Sequence, residues 1–269
     1  MSSESTLESF VFGTMRLEQH DLDSCIDLLQ HVLEAGVRRF HSSTEYGSFK
    51  LFCVALPHAC ARSGIDIDSL RHIVKLASPH FGESRFDEST MVSAVDEYRK
   101  SLEVDTLDVV QWMTRMDLAD ESARMNCLSR DNEAIANYAK NARADGNINR
   151  LGCFPYTRTF RDAVIQKPWC DTLVDYLNLD EREAYDSIPN LNDGQSIIAI
   201  RPLYPMFSES SDNSAARPSA DECLTFSLQN DKVEAVVVSA SSIEHADELV
   251  SIISRLRPKA EGPGRHPKS

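Results

Sequence analysis

Along almost the whole chain, short runs rich in β-branched residues alternate with longer stretches of helical apolar spacing. The first run covers 10–15. Behind it Leu22, Ile26, Leu29 and Leu33 recur every three to four residues, the spacing of one helix face, opened by Asp21 and ended by Gly36. Further strands are predicted at 37–42, 72–77, 107–113, 149–154, 173–177, 196–203 and 233–239. The helices between and after them are predicted at 48–62, 88–102 (opened by Ser89 or Thr90), 132–144, 158–166, near Glu181, 220–228 and 243–256. Eight strand–helix pairs in strict order favour a closed parallel (β/α)8 barrel over a doubly wound open sheet. The barrel is expected to occupy 1–256 as one domain.

Length agrees, since 269 residues suit one such barrel. Apolar residues make up 42% and charged residues 26%, a globular mix with no run of about 20 apolar residues for a membrane span. The segment 1–9 is Ser/Glu-rich, without the basic start and apolar core of a signal peptide. Seven cysteines lie scattered without a Cys-x-x-Cys pair, and Cys53 and Cys60 share one helix face; this predicts a reducing cytoplasm and no metal. A net charge of -14 argues against nucleic acid as a general partner. The oligomeric state stays open. Residues 208–218, Ser/Asn-rich, are expected as a mobile loop and 257–269 as a disordered tail.

In such barrels the reactive groups sit at the C-terminal strand ends and in the loops that follow. His41, Glu45 and Tyr46 follow the second strand; Lys75, His80 and Phe81 follow the third. Gln111, Met113 and Arg115 lie at the fourth, Asp175 and Asn178 at the sixth, Arg201 at the seventh. Ser239, Ser241 and Ser242 lead into the last helix. Lys75 ends an otherwise apolar strand, so its ammonium projects into the mouth and needs a partner, or else snorkels to solvent. A lysine beside a tyrosine makes the phenol a better proton donor to a carbonyl oxygen. His41 has a pKa range suited to proton transfer near neutral pH. Asp175, facing Lys75 across the barrel, is a candidate counter-ion.

These pieces, in order, resemble the aldo-keto reductase family. Phe12-Gly13-Thr14-Met15 is similar to its first strand, and Gly36 through Gly47 to its second strand and catalytic-tyrosine loop. Ile73-Val74-Lys75 resembles the lysine strand, Leu107 to Gln111 the fourth, Ile198 to Leu203 the seventh, and Val236 to His245 the last. The resemblance implies NADPH-dependent carbonyl reduction of a small-molecule substrate, with Tyr46 as proton donor, Lys75 tuning it and His41 beside them. It also implies a cofactor site including Asp175, Arg201, Ser239, Ser241 and Ser242.

The departures are equally specific. The family pairs the lysine with an aspartate and orients substrate with a histidine; those positions hold His41 and Met113. A neutral imidazole lacks the carboxylate's charge, and a thioether has no hydrogen to donate. The Ser-Asn pair after the fifth strand falls on Phe154-Pro155, the glutamine on the sixth on Asp175, and the asparagine near the adenine on Leu249. The small loop after the seventh becomes Tyr204-Pro205-Met206-Phe207. Two alternatives therefore stand beside the reductase: a binding or regulatory barrel without redox activity, and a lyase or isomerase using His41, Tyr46 and Lys75 without cofactor.

Overall fold

Eight parallel strands close on themselves in chain order: β1 (Phe10–Gly13), β2 (Arg39–Ser42), β3 (Arg71–Lys75), β4 (Leu107–Met113), β5 (Ile148–Phe154), β6 (Thr172–Tyr176), β7 (Ser196–Ile200) and β8 (Val233–Val238). Val11 pairs with Arg39 on one side and Val237 on the other, which completes the ring. The computed structural model describes residues 7–76, 86–113, 120–208 and 217–257. His80, Phe81, Arg115, most of the 208–218 loop and all but the first residue of the 257–269 tail lie outside the described residues.

The helices surround the ring as α1 (Leu22–Glu34), α2 (Phe49–Ser63), α3 (Glu88–Leu102), α4 (Glu121–Ala144), α5 (Arg158–Val164), α6 (Glu183–Ser187), α7 (Ala220–Leu228) and α8 (Ile243–Leu256). A strand buried on both faces turns alternate side chains inward and outward. Val11, Ile73, Val109, Val174, Ile198 and Ala235 fill the barrel interior. Their outward neighbours, including Phe12, Phe40, Val74, Val110 and Leu173, pack under the helices. Among the described residues no helix is long and apolar enough to cross a membrane. Cys60 is buried and Cys53 half-buried on α2, and all seven thiols are free.

Boundaries differ from expectation where a cap or a charged side chain decides them. The third helix begins behind Asp87, whose carboxylate accepts from Thr90 N at 2.7 Å, so the cap precedes Ser89. The fourth runs 24 residues from Glu121 rather than from Asn132. Its buried stripe includes Arg124 and Asp131, and those charges hide the apolar period from the sequence. The seventh strand stops at Ile200 because Arg201 takes a left-handed φ of 57° and Tyr204–Met206 turns into a short 3-10 helix. The first stops at Gly13, where a Cβ would lie 2.6 Å from Ser239 Oγ; Thr14–Gln19 then continues as 3-10 helix.

At the N-terminal floor Arg39 donates to Glu234 at 2.6 Å and faces Asp108 at 3.4 Å; Arg150 donates to the same two carboxylates at 2.7 and 3.1 Å. Arg71 pairs with Glu8 at the edge. Burial works to raise the Glu234 pKa, but Arg39 and Arg150 more than offset it and hold it down at about 2.

Candidate active site

A cavity of about 1000 Å³ opens at the C-terminal end of the barrel. The loop between β2 and α2 reaches it as a pinned segment rather than a free one. Ser43 Oγ and the Tyr98 hydroxyl from α3 donate to the Lys75 carbonyl at 3.0 and 2.7 Å. Thr44 N donates to the same tyrosine oxygen at 2.7 Å, and Tyr46 N to Ser43 O at 3.0 Å. The loop carrying Tyr46 is thus fastened to the end of the strand carrying Lys75.

The Lys75 ammonium lies 2.7 Å from Glu45 Oε2, with the two side chains only 15% and 21% exposed. It sits 5.5 Å from the centre of the Tyr46 ring. The expected pairing of Lys75 with Asp175 is therefore replaced by Lys75 with Glu45. Asp175 shares the outward face of β6 with Leu173 and accepts from Arg161 Nε at 2.5 Å beneath α5, away from the cavity lining. Burial raises its pKa and Arg161 opposes that rise. The inward residue at this level is Tyr176.

His41 lines the cavity at 5% exposure, its ring 6.2 Å from that of Tyr46. Its Nε2 lies 3.1 Å from Gln111 Oε1. A carbonyl oxygen only accepts, so that nitrogen carries the proton. Burial, aided by nearby Lys75 and opposed by the Gln111 bond, lowers its pKa to about 4. That corrects the expectation of a group titrating near neutrality: His41 is a neutral donor at pH 7. On β4, Trp112 turns to the helix layer and meets Trp169 edge-on at 5.7 Å.

Rings form the far wall. Phe154 lies 4.4 Å from Tyr156 and 4.9 Å from Tyr176, both edge-on. Arg201 rests on Tyr176 and Tyr204 at 4.7 and 4.2 Å and reaches Glu181 at 3.5 Å. Ser239 and Ser241 line the cavity, while Ser242 caps α8 by accepting from His245 N at 3.3 Å. Of the residues expected to bind cofactor, Arg201, Ser239 and Ser241 share the cavity, and Asp175 and Ser242 are spent elsewhere. Sequence reasoning placed Glu45 at the mouth without pairing it to Lys75, and it did not single out Tyr98, Arg16, His245 or Glu248. Glu45 stands next to Tyr46, and Tyr98 carries a hydroxyl into the buried apolar stripe of its helix. For Arg16 the only signal is its place just after the first strand. Among the described residues no cluster of three or more His, Cys, Asp or Glu is arranged to hold a metal.

No protein-family model matches this sequence, and no curated protein does either. Solved structures match its fold closely. An aldo-keto reductase from Bacillus halodurans in its holo form is 15% identical, with a TM-score of 0.67 over 95% of this chain and 94% of that one. One from Klebsiella pneumoniae in complex with NADP and acetate is 17% identical, at 0.65 over 97% and 98%. One from Bombyx mori in complex with NADP is 13% identical, at 0.61 over 92% and 87%. The architecture is therefore a (β/α)8 barrel of the aldo-keto reductase type.

Proposed function

We propose that this protein reduces a carbonyl substrate with NADPH, using Tyr46 as the proton donor. One observation carries the reading: a partly buried lysine, neutralised by a neighbouring carboxylate, lies beside a tyrosine ring at the mouth of a large cavity. Phenolate formation beside an ammonium is favoured over phenolate formation in water, so Tyr46 can release its proton to a carbonyl oxygen as charge develops there. Glu45 keeps the ammonium in place, and the His41 N–H bonded to Gln111 gives the same wall a neutral, fixed dipole.

The lining suits the cofactor unevenly. Arg201 supplies a cation for a phosphate, and Ser239 and Ser241 supply hydroxyls at the start of α8. Glu248 and Leu249, one to two turns further on, offer an acceptor and an apolar surface for a base. Phe154, Tyr156 and Tyr176 offer stacking where the resemblance implies side-chain amides. NADPH, when bound, supplies the hydride.

That aromatic wall also supports a second reading. Phe154 is 3% exposed and makes no hydrogen bond through its side chain, so a barrel that binds a flat apolar ligand without cofactor fits it equally. Calorimetric titration with NADPH separates the two readings. Neither tryptophan lines the cavity, so fluorescence quenching is a poorer probe. Micromolar saturable binding supports the reductase, and no heat at millimolar cofactor overturns it.

A further inference from the structure

The protein carries 42 acidic against 28 basic residues, yet among the described residues its cavity is lined by Arg16, Lys75 and Arg201 against the single carboxylate of Glu248. Lys75 is neutralised by Glu45, and Arg201 is shared with Glu181. Arg16 differs from both. Among the described residues it is the one arginine with neither a hydrogen bond nor an ion pair. Every other has a carboxylate or carbonyl partner, down to exposed Arg158, Arg182 and Arg255.

Arg16 is nevertheless placed. Its guanidinium lies 5.8 Å over the ring of Phe207, from the segment after β7, while Arg16 itself leaves the end of β1. The 3-10 segment carrying it is tied to the catalytic loop, because Thr14 Oγ1 donates to His41 O at 3.2 Å and the Glu18 carboxylate packs against Gly47. Beside it Met15, Tyr204 and Phe207 are 51%, 38% and 60% exposed, an unusual share of large apolar surface for one rim. A guanidinium with unused donors, stacked on a ring amid apolar side chains, is the chemistry that recognises an apolar body ending in an anion.

We propose that Arg16 is the anion-recognition residue of this cavity, and that the carbonyl substrates it selects carry a carboxylate on an apolar or aromatic body. The substrate part of this inference rests on the reductase reading; the binding part does not. The test compares 4-carboxybenzaldehyde with 4-methylbenzaldehyde, which share ring, carbonyl and size and differ in charge.

With NADPH present, kcat/KM is about tenfold higher for the acid at low salt, and the ratio falls toward one both at high salt and in Arg16→Gln. Equal turnover of the two aldehydes overturns the proposal, as does a preference that survives Arg16→Gln. A tenfold loss of NADPH affinity in Arg16→Gln, with the acid preference intact, also overturns it, because Arg16 would then serve the cofactor. Binding of both aldehydes to the protein alone, followed by calorimetry, keeps the two ideas apart. If neither is reduced but the acid binds more tightly in an Arg16-dependent way, the reductase reading fails and this assignment stands.

Discussion

The two ends of the barrel handle charge in opposite ways. At the floor Arg39 and Arg150 share Asp108 and Glu234, and Arg71 takes Glu8, so cations and carboxylates balance with their donors directed inward. At the mouth the Lys75–Glu45 ion pair stands beside a tyrosine, while Arg16 has no charged partner among the described residues and Arg201 leans on two rings and reaches Glu181 only at 3.5 Å. Both ends lie on the same strands. A self-satisfied network has nothing left to offer a ligand and serves the fold; incompletely satisfied groups around a cavity serve chemistry. Breaking each end should therefore cost a different quantity.

The largest effect is expected at the mouth and in rate alone. Tyr46→Phe removes the proposed proton donor and leaves the ring beside Lys75, so on the reductase reading kcat for carbonyl reduction falls about 10³-fold, or about 4 kcal/mol of transition-state stabilisation. The midpoint of urea unfolding stays where it is. Retained turnover in this variant would remove Tyr46 from the mechanism.

At the floor the loss appears in stability instead. Glu234→Ala leaves Arg39, whose side chain is 4% exposed, and Arg150 with Asp108 as their one shared carboxylate, at a cost of about 3 kcal/mol. The measurement is urea unfolding at pH 7, with NADPH affinity unchanged. The same carboxylate predicts a pH dependence. Its folded pKa of about 2 lies below the ordinary 4.5, so the unfolded chain takes up the proton first. Its stabilisation is complete above about pH 4.5 and fades as the pH falls toward 2. Glu234→Ala should lack that part of the acid limb.

What the sequence shows of this contrast depends on whether a signal is local. The last two helices are legible to the residue, because Ser219 and Ser242 cap them and the apolar period behind each cap is unbroken. Tyr46 and Lys75 are legible as strand-end residues. The partner of Lys75 is not, because Glu45 reaches it through a loop whose shape is set by Ser43 and by Tyr98 from a helix more than 50 residues away. Asp175 is misplaced for a different reason. In Thr172–Tyr176 both faces are buried, so no polar alternation marks which residues look inward, and a one-residue change of parity exchanges Asp175 for Tyr176. The floor network is invisible for both reasons at once, being assembled from five separate strands and the segment before the first.

Two buried imidazoles extend the comparison at a smaller scale. His41 at the mouth keeps Gln111, whereas His72, outward on β3 and stacked 6.1 Å from Phe40, has no hydrogen-bond partner on either nitrogen among the described residues. Burial lowers the His72 pKa to about 4, with Asp108 opposing the shift. The unfolded chain therefore binds the proton from about pH 6.5 downward while the folded one resists, and stability declines as the pH falls from 6.5 toward 4. At pH 5 this costs about 2 kcal/mol per imidazole. His72→Leu should remove one such contribution, so the pH 7 to pH 5 loss measured by urea unfolding shrinks by that amount. An unchanged loss would mean that His72 is protonated in the folded protein.

The smallest expected effect asks how the ion pair beside Tyr46 works. Glu45→Gln preserves size and an acceptor for the ammonium but deletes the charge, and two consequences oppose each other. A carboxylate 2.7 Å from the ammonium weakens the field that Lys75 exerts on Tyr46, so removing it favours the phenolate. The same carboxylate holds a long, entropically free side chain against the loop, and without it the ammonium tends to swing into solvent, where it exerts almost no field at the ring. Because Lys75 is 15% exposed, water lies within its reach, and the positional loss should win. The expected result is a kcat lowered about tenfold, about 1.4 kcal/mol, with KM unchanged and stability altered by less than about 1 kcal/mol. Restoring the charge one methylene short, in Glu45→Asp, should recover part of the rate. A kcat that rises in Glu45→Gln would mean that the lysine stays in place unaided and that Glu45 acts to restrain the acidity of Tyr46.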